Sequence, residues 1–402
     1  MWARVKLDIG WADLAFGLTR SVLRADRAGA EARVAARFGG NDAFVCFSVR
    51  SGFDLLLQAL ALPPDTEVLF SALNVKGMVK VARRQGVVPV PVDLDLDRMV
   101  PDVAAFERAW SPRARVLVVA PLFGTRPDLS ELFAAAKARG LLVVEDAAQA
   151  FAGSAYRGQT GADVSMFSFG PLKFATALGG AVLQVRDPAL RRKLAEIQAG
   201  HPVQSHGAFR KRLLKFAGIK AATRPRPLGL LTAGFRVVGR DYENALSDSV
   251  RGVAALGSAA KLRKRPPAGM LALLERRIAR FDPAALASRM RAGRLLEEAL
   301  GDAVVCPGAA NDPHFFWVFP ILAREPQQLI HRLRRAGFDA ATLGRSATVP
   351  APPDRPELDP KVAREALQRL VVLPCHGGMP DRELRRLAEA VREACTEAAG
   401  SS

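Results

Sequence analysis

The chain has 402 residues, of which 49% are hydrophobic and 24% are charged, a composition typical of a globular protein with room for two domains. No run of uncharged apolar residues is long enough to span a bilayer, and the first residues lack a signal-peptide pattern, so we expect a cytoplasmic protein. The net charge of +18 favours an anionic partner, although a GC-rich, arginine-rich coding bias explains it equally well. We expect phosphorylated substrates or an anionic membrane as that partner, and no nucleic acid. The four cysteines are far apart, which predicts reduced thiols and no metal site.

Strands and helices alternate through the first 150 residues. The predicted strands are Phe44–Phe47, Glu67–Phe70, Gly86–Asp93, Arg115–Ala120 and Leu141–Val144. The predicted helices include Ser21–Phe38, Asp54–Leu62 and Pro127–Arg139. This alternation favours an α/β fold with a mainly parallel sheet covered by helices on both faces.

A candidate anion site lies at Ser51-Gly52-Phe53, just before a predicted helix. The free amides and the dipole of a helix N-terminus both favour an anion such as a phosphate. A Ser-Gly pair before a helix is a weak motif by itself, so its position ahead of a stronger motif is what makes it a candidate.

That stronger motif lies between Leu141 and Val185. Asp146, the second residue of an acid pair, follows a buried strand, and Gln149 comes three residues later. Ser168 belongs to the next predicted strand, and Lys173 lies in the turn after it. Apolar segments around such a turn hold a lysine out of bulk water, which makes its amine nucleophilic. A single lysine in a turn is usually solvated and inert, so the combination with the carboxylate, the amide and the serine is what favours a catalytic site.

The sequence VVEDAAQAFAGSAYRGQTGADVSMFSFGPLKFATALGG resembles the core motif of the DegT/DnrJ/StrS aminotransferases. These are pyridoxal-phosphate enzymes of fold type I that act mostly on keto-sugar nucleotides. The resemblance implies an α/β fold in which a large domain with a mainly parallel seven-stranded sheet is joined to a smaller C-terminal α/β domain. It also implies that Lys173 bonds covalently with the cofactor and that Asp146 pairs with its ring nitrogen. Gln149 would meet the ring oxygen and Ser168 the phosphate.

The resemblance extends to other cofactor contacts. Ser51, Gly52 and Phe53 correspond to a phosphate-binding Ser-Gly-Thr, so Phe53 in place of threonine removes one side-chain contact. Asn74 stands where relatives carry an aromatic residue that stacks on the cofactor ring, and an amide lacks that stacking area. Arg251 stands near an Asn-Tyr-Arg motif through which one subunit contacts its partner's cofactor phosphate, which implies a homodimer.

The segment from residue 200 to residue 240 is basic and is interpreted as an insert in the large domain, which is expected to span residues 41–260 after an N-terminal segment of residues 1–40. Phe209, Leu213 and Phe216 recur at helical spacing among lysines and arginines, which predicts a basic amphipathic helix. Such a helix either packs on its own protein with a solvated basic face, or contacts an anionic membrane or substrate phosphates through residues 207–240.

A smaller C-terminal domain is expected over residues 261–402. Its predicted elements are helices Leu271–Phe281 and Ala285–Leu300, a strand Phe315–Ile321, a helix including His331–Ala336, a strand Val371–His376 and a last helix Asp381–Glu397. Strand and helix alternate here too, which favours a small α/β domain.

These features predict a pyridoxal-phosphate-dependent aminotransferase. It would move an amino group from an amino acid, glutamate by analogy, to the keto group of a sugar nucleotide or a similar anionic acceptor, with Lys173 as the catalytic base. A related sugar dehydratase is one alternative, but in such relatives a histidine replaces the lysine. A degenerate cofactor-bearing scaffold that binds an anionic membrane or a protein partner is the other. The chain has no P-loop, dinucleotide fingerprint or Ser-His-Asp order.

Overall fold

A computed structural model describes residues 1–400 except 5, 24–25, 223–258 and 345. Its strands are β1 (Ala43–Cys46), β2 (Glu67–Ser71), β3 (Leu73–Val75), β4 (Val88–Val92), β5 (Ala114–Val119), β6 (Leu142–Glu145), β7 (Val164–Ser168), β8 (Ala181–Val185), β9 (Phe319–Leu322), β10 (Ala341–Thr342), β11 (Ser346–Thr348) and β12 (Leu370–Leu373). Its α-helices are α1 (Trp11–Val22), α2 (Arg27–Phe38), α3 (Val49–Leu60), α4 (Lys76–Arg84), α5 (Val103–Ala109), α6 (Ser130–Ala138), α7 (Pro188–Ala199), α8 (His206–Ala222), α9 (Ala259–Leu262), α10 (Ala268–Ala279), α11 (Pro283–Leu300), α12 (Pro326–Arg335), α13 (Lys361–Arg369) and α14 (Asp381–Gly400).

Seven strands form the central sheet, in the order β1-β8-β7-β6-β5-β2-β4. β8 runs antiparallel to both of its neighbours, and the other strand pairs are parallel. The strands are apolar runs, as in ARVLVV of β5, because helices cover both faces of the sheet and bury almost every side chain. The predicted α/β fold with a mainly parallel seven-stranded sheet is therefore confirmed.

The carboxyl ends of the parallel strands meet along one edge of this sheet. Asp146 follows β6, and its N–H donates to the carbonyl of Val119 at 2.7 Å, which extends the pairing with β5 by one residue. Ala181, the first residue of β8, pairs with both Ser168 and Cys46. The end of β7 and the end of β1 therefore lie on either side of β8 at this edge, which is where open α/β sheets bind ligands.

A second, antiparallel sheet has the order β10-β12-β9. Apolar residues of α11, α12 and α14, including Leu296, Leu333 and Leu384, pack with Phe319 and Val371 into one core, which confirms the smaller C-terminal α/β domain. β11 lies apart from this sheet and pairs with β3, so a strand from the C-terminal part of the chain joins the edge of the large part.

The strand predicted from Phe315 begins only at Phe319. The residues before it are tied to the loop after β5, because the N–H groups of Phe315 and Trp317 donate to the carbonyls of Gly124 and Phe123 at 2.8 Å each. The aromatic run predicted as one strand therefore has two partners. Its first residues pair with the loop after β5 in the large domain, and β9 pairs with β12.

The largest differences from the predicted helix boundaries are at the starts of α2 and α3. Asp26 caps α2 by accepting from the N–H of Gly29 at 2.9 Å, so the single helix predicted from Ser21 is divided into α1 and α2. Ser48 caps α3 by accepting from the N–H of Ser51 at 3.2 Å, so that helix begins at Val49 and not at Asp54. In both places a polar side chain supplies the cap: Asp26 lies inside the predicted helix, and Ser48 lies between the predicted strand and the predicted helix.

Helix α8 packs on its own protein. Phe209, Leu213 and Phe216 are fully buried in the same core as Leu14 of α1 and Leu273 of α10. The described part of this basic helix therefore agrees with the interpretation that it packs on its own protein. Its exposed basic residues, such as Arg210 and Lys211, lie on the solvent side. The remainder of the basic segment lies outside the described residues. Among the residues that the structure describes, no helix is long and apolar enough to cross a membrane.

Candidate active site

The turn that carries Lys173 is held by several hydrogen bonds. The N–H of Lys173 donates to the carbonyl of Gly170 at 3.0 Å, and the hydroxyl of Thr176 donates to the same carbonyl at 2.7 Å. The N–H of Ala175 donates to the carboxylate of Asp8 at 2.5 Å, which fastens the turn to the N-terminal segment. The lysine therefore extends from a fixed backbone.

Asp146 lies within electrostatic reach of Lys173. Its side chain is buried, and one carboxylate oxygen accepts from the N–H of Ala148 at 3.2 Å. Burial raises the pKa of Asp146 to about 6, although the positive charge of Lys173 and the Ala148 hydrogen bond both act to lower it. The structure thus brings together the acid and the lysine that the sequence singles out.

Gln149 connects the Asp146 turn with the loop after β5. Its side-chain oxygen accepts from the N–H of Phe123 at 2.7 Å. Phe123 has a positive φ of 62°, an uncommon conformation for a residue with a side chain, and its carbonyl accepts from the N–H of Trp317 at 2.8 Å. Gln149 therefore helps to fix the strained loop after β5, to which the backbone of Trp317 is hydrogen-bonded.

Trp317 is a site residue that the sequence analysis missed. The amine nitrogen of Lys173 lies 3.8 Å from the centroid of its ring, within the range of a cation–π contact. The indole N–H donates to the carbonyl of Leu172 at 2.7 Å. The aromatic run around Trp317 was the available signal, but sequence alone does not tell which lysine such a residue meets across the fold.

Glu145, the other member of the acid pair, is held by hydrogen bonds inside the protein. It is fully buried and accepts hydrogen bonds from the N–H of Gln159 at 2.9 Å, from the hydroxyl of Ser165 at 2.8 Å and from the hydroxyl of Tyr156. Burial and the nearby Glu145 charge raise the pKa of Tyr156. Three donors to one carboxylate account for a buried acid without a catalytic role.

Arg126 secures the other end of the same turn. Its guanidinium lies 3.7 Å from the centroid of the Tyr156 ring and donates twice, at 2.8 and 3.1 Å, to the carbonyl of Ala150. Burial lowers the pKa of Arg126 to about 10. The short segment that carries Asp146 and Gln149 is therefore fixed at both ends, by Glu145 before it and by Arg126 after it.

Ser51, Gly52 and Phe53, which are predicted to surround a phosphate, are the third to fifth residues of α3. The hydroxyl of Ser51 donates to the carbonyl of Leu262 at 2.8 Å, and the N–H of Gly52 donates to the carbonyl of Ser48 at 2.9 Å. The side chain of Phe53 is fully buried in the core. These three residues thus have partners inside the protein, and the start of the helix at Ser48 is the part that faces the sheet edge.

Ser168 and Asn74 lie at the ends of neighbouring elements. The Ser168 hydroxyl, at the end of β7, accepts from the N–H of Gly170 at 3.4 Å. Asn74 is buried, and its side-chain oxygen accepts from the N–H of Val75 at 2.8 Å, but its side-chain nitrogen has no hydrogen-bond partner among the described residues. Buried amide nitrogens are normally paired, so this one is consistent with a ligand acceptor. Arg251 lies outside the described residues.

Residues 28–227 match the model of the DegT/DnrJ/EryC1/StrS aminotransferase family. A UDP-N-acetyl-3-dehydro-alpha-D-glucosamine 3-aminotransferase of Acidithiobacillus ferrooxidans is 31% identical over 183 residues, which are 44% of this chain and 48% of that protein. A dTDP-3-amino-3,4,6-trideoxy-alpha-D-glucose transaminase of Streptomyces venezuelae is 35% identical over 153 residues, 36% of this chain and 40% of that protein. The match therefore spans less than half the length of these curated relatives.

The fold is shared over almost the whole chain. The PLP form of Spr1654 from Streptococcus pneumoniae superimposes with a TM-score of 0.70 and 15% identity, covering 98% of each chain. The matched region of residues 28–227 includes β1 to β8, the Asp146 turn and Lys173. The chain belongs to the DegT/DnrJ/EryC1/StrS aminotransferase family.

Proposed function

We propose that the protein is a pyridoxal-phosphate-dependent aminotransferase that moves an amino group from glutamate to the keto group of a sugar nucleotide. The observation that carries this proposal is the buried carboxylate of Asp146 within electrostatic reach of Lys173. Such a pair suits this cofactor, since an amine bonds its aldehyde and a carboxylate keeps its ring nitrogen protonated. Membership of an aminotransferase family supports the same chemistry.

The donor groups at the sheet edge fit the cofactor. Asp146 would hold the ring nitrogen, Gln149 would meet the ring oxygen, and Ser168 with the first turn of α3 would hold the phosphate, where the amides of a helix N-terminus favour an anion. Pyridoxal phosphate, when bound, carries the nitrogen from donor to acceptor and accepts the electrons released when a proton leaves carbon. The buried side-chain nitrogen of Asn74, which has no hydrogen-bond partner in the part of the chain that the structure describes, supports a ligand at this edge.

Each of the two central residues has a distinct task. Asp146 has a pKa of about 6 without a ligand, so its carboxylate is mostly ionised at neutral pH and can hold a proton on the facing ring nitrogen. Lys173, once the amino donor has taken its place on the cofactor, would take the proton from the donor's α-carbon and deliver it to the cofactor's aldehyde carbon. In the second half of the reaction it would carry a proton the opposite way, to the acceptor's carbon. The hydrogen bonds that hold the turn around Lys173 would help to keep the amine near that carbon.

A sugar nucleotide is the proposed acceptor. Two curated relatives are named for amino transfer to UDP-linked and dTDP-linked sugars. The net charge of +18 suits a substrate with a diphosphate. Glutamate as the donor is proposed by analogy.

We further propose that the protein is a homodimer in the cytoplasm. Each chain would be divided into an N-terminal segment of residues 1–40, a large domain of residues 41–260 and a small domain of residues 261–402. A peripheral contact of residues 207–240 with an anionic membrane is a weaker proposal. Phe209, Leu213 and Phe216 are buried in the core. Among the described residues of this segment, the outer face of α8, with exposed side chains such as Lys211, is therefore the part that could contact such a surface.

The experiment is to trap the cofactor on its lysine. The purified protein is incubated with pyridoxal phosphate, reduced with borohydride, digested and analysed by mass spectrometry. We expect the adduct on Lys173, a visible absorbance band that shifts when glutamate is added, and loss of both in Lys173→Ala. The exposed Lys80→Ala is the matched control and should behave as the wild type. An unchanged band and adduct yield in Lys173→Ala would overturn the proposal.

A further inference from the structure

The amine of Lys173 faces an aromatic ring to which the proposed chemistry assigns no task. Its nitrogen lies 3.8 Å from the centroid of the Trp317 ring. At this distance the face of the indole is in van der Waals contact with the amine, and indole is the side chain that attracts a cation most strongly through its ring. Trp317 precedes β9, so this contact joins the C-terminal part of the chain to the turn after β7.

The ring of Trp317 is held in place from two sides. Its indole N–H donates to the carbonyl of Leu172, the residue next to Lys173, at 2.7 Å. Its backbone N–H donates to the carbonyl of Phe123 at 2.8 Å. Gly124 permits this close approach, because a Cβ added there would lie 2.8 Å from the backbone nitrogen of Trp317. Hydrogen bonds from both its side chain and its backbone therefore hold the ring against the lysine.

Asn74 offers no aromatic ring to a cofactor at this site. It lies in β3, at the same edge of the sheet, and its amide is too small to stack on an aromatic cofactor. Its side-chain oxygen is already bonded to the N–H of Val75. A planar cofactor at this edge therefore lacks an aromatic partner from β3.

We propose that Trp317 is the aromatic platform of the active site, whose indole face covers the bond between Lys173 and the cofactor and stacks on the cofactor ring. The inference rests on the proposed function, because it requires a pyridine aldehyde bonded to Lys173. The bonded nitrogen is conjugated with the pyridine ring through one carbon. An indole 3.8 Å from that nitrogen is thus at stacking distance from the conjugated system.

The test compares Trp317→Leu and Trp317→Phe in the full-length protein. Both variants lose the hydrogen bond to the Leu172 carbonyl, but phenylalanine keeps a ring and leucine keeps only apolar volume. The dissociation constant for pyridoxal phosphate is measured by titration of the visible absorbance band. We expect Trp317→Leu to bind about tenfold more weakly than the wild type, and Trp317→Phe, whose ring is smaller than indole, about threefold more weakly. Trp110→Phe, which changes a tryptophan that lies beside Arg139, is the control and should bind as the wild type does.

Borohydride labelling separates failure of this inference from failure of the proposed function. If the wild type carries no adduct on Lys173, the proposed function is wrong. If the adduct forms and Trp317→Leu binds the cofactor as tightly as Trp317→Phe, the platform is overturned. If Trp317→Leu does not fold, the wild type is compared with Trp317→Phe, whose smaller ring should weaken binding about threefold, and equal affinities overturn the proposal.

Discussion

At the scale of single residues, the site depends on one carboxylate that is costly to bury. Asp146 has a raised pKa because burial disfavours its charge, and the charge of Lys173 offsets this only in part. A cationic ring nitrogen beside Asp146 would supply the missing counter-charge. Burial of this carboxylate therefore carries a free-energy cost that the proposed pairing with the cofactor would relieve.

Asp146→Asn tests this cost through its pH dependence. The folded protein binds the Asp146 proton with a pKa of about 6, against 3.8 for the ordinary carboxyl group, so the wild type loses stability as the pH rises from about 4 to about 6 and stays lower above that. We expect ligand-free Asp146→Asn to be more stable than the wild type by about 1–3 kcal/mol at pH 7, with the difference disappearing near pH 4. Urea unfolding at both pH values measures it.

The same variant should lose activity. Without the carboxylate the ring nitrogen is not held protonated, so we expect amino transfer to fall about 100-fold or more. The exposed Glu298→Gln changes the net charge equally and should alter neither property. An Asp146→Asn protein that is less stable than the wild type at pH 7 would contradict the burial cost.

The hydrogen bonds to the buried Glu145 carboxylate can be tested by substitution. Tyr156→Phe removes one of three donors to this carboxylate and should lower the free energy of unfolding by about 2 kcal/mol. Glu145→Gln should cost more, because an amide nitrogen turned toward these donors leaves at least one of them unpaired. Chemical denaturation checks the order of the two, and equal stability of Tyr156→Phe and the wild type would mean that the hydroxyl bond contributes nothing.

The residues of the central motif could be predicted because their chemistry follows strand ends in the sequence. Asp146 and Lys173 come together through one sheet edge, as their pattern indicates. Trp317 could not be found in that way, since its contact with Lys173 joins segments far apart in the chain. Phe53 reads as part of a phosphate turn, but the earlier start of α3 turns its side chain into the core.

At the scale of elements, Gly52 explains how closely α3 approaches the sheet. A Cβ at this position would lie 2.7 Å from a methyl carbon of Leu183 and 3.0 Å from the sulfur of Cys46. The glycine is therefore required by packing between α3 and β8, whatever ligand binds at the start of the helix. Sequence alone does not distinguish a glycine that binds a phosphate from a glycine that is required by packing.

Gly52→Ala should lower the free energy of unfolding by about 1–3 kcal/mol, because the gain in helix propensity is smaller than the cost of overpacking. Gly218→Ala is the matched control, since Gly218 lies in α8 with nothing within 4 Å of its added Cβ. That control should gain about 0.5–1 kcal/mol. Thermal unfolding compares the two, and a stabilised Gly52→Ala would show that α3 moves away from β8 at little cost.

Helix α8 shows how a basic amphipathic pattern arises in a core helix. Its period predicts the helix and its buried positions, but it does not distinguish a membrane surface from the neighbouring α1 and α10. Phe209→Ala should destabilise the protein by about 3–5 kcal/mol because it leaves a cavity in that core. Leu214→Ala, at a position 56% exposed, should change stability by less than about 0.5 kcal/mol. Similar losses for both variants would contradict the orientation of α8.

At the scale of the whole molecule, two segments from the C-terminal part of the chain reach the large part near the candidate site. β11 pairs with β3, and the segment before β9 bonds to the loop after β5, so both parts of the chain approach the edge that carries Lys173. The alternation of strands and helices predicts both sheets. It does not predict these two connections, because short irregular segments have no periodicity and pair through backbone groups that every residue possesses.

The measurement that tests the central claim most directly is the transfer of isotope-labelled nitrogen. Wild-type protein loaded with pyridoxal phosphate is incubated with labelled glutamate and a panel of keto-sugar nucleotides, and the products are analysed by mass spectrometry. We predict label in an amino-sugar nucleotide with the wild type and none with Lys173→Ala, while Lys80→Ala behaves as the wild type. Absence of label from every acceptor, with glutamate and with other amino acids as donors, would contradict the account.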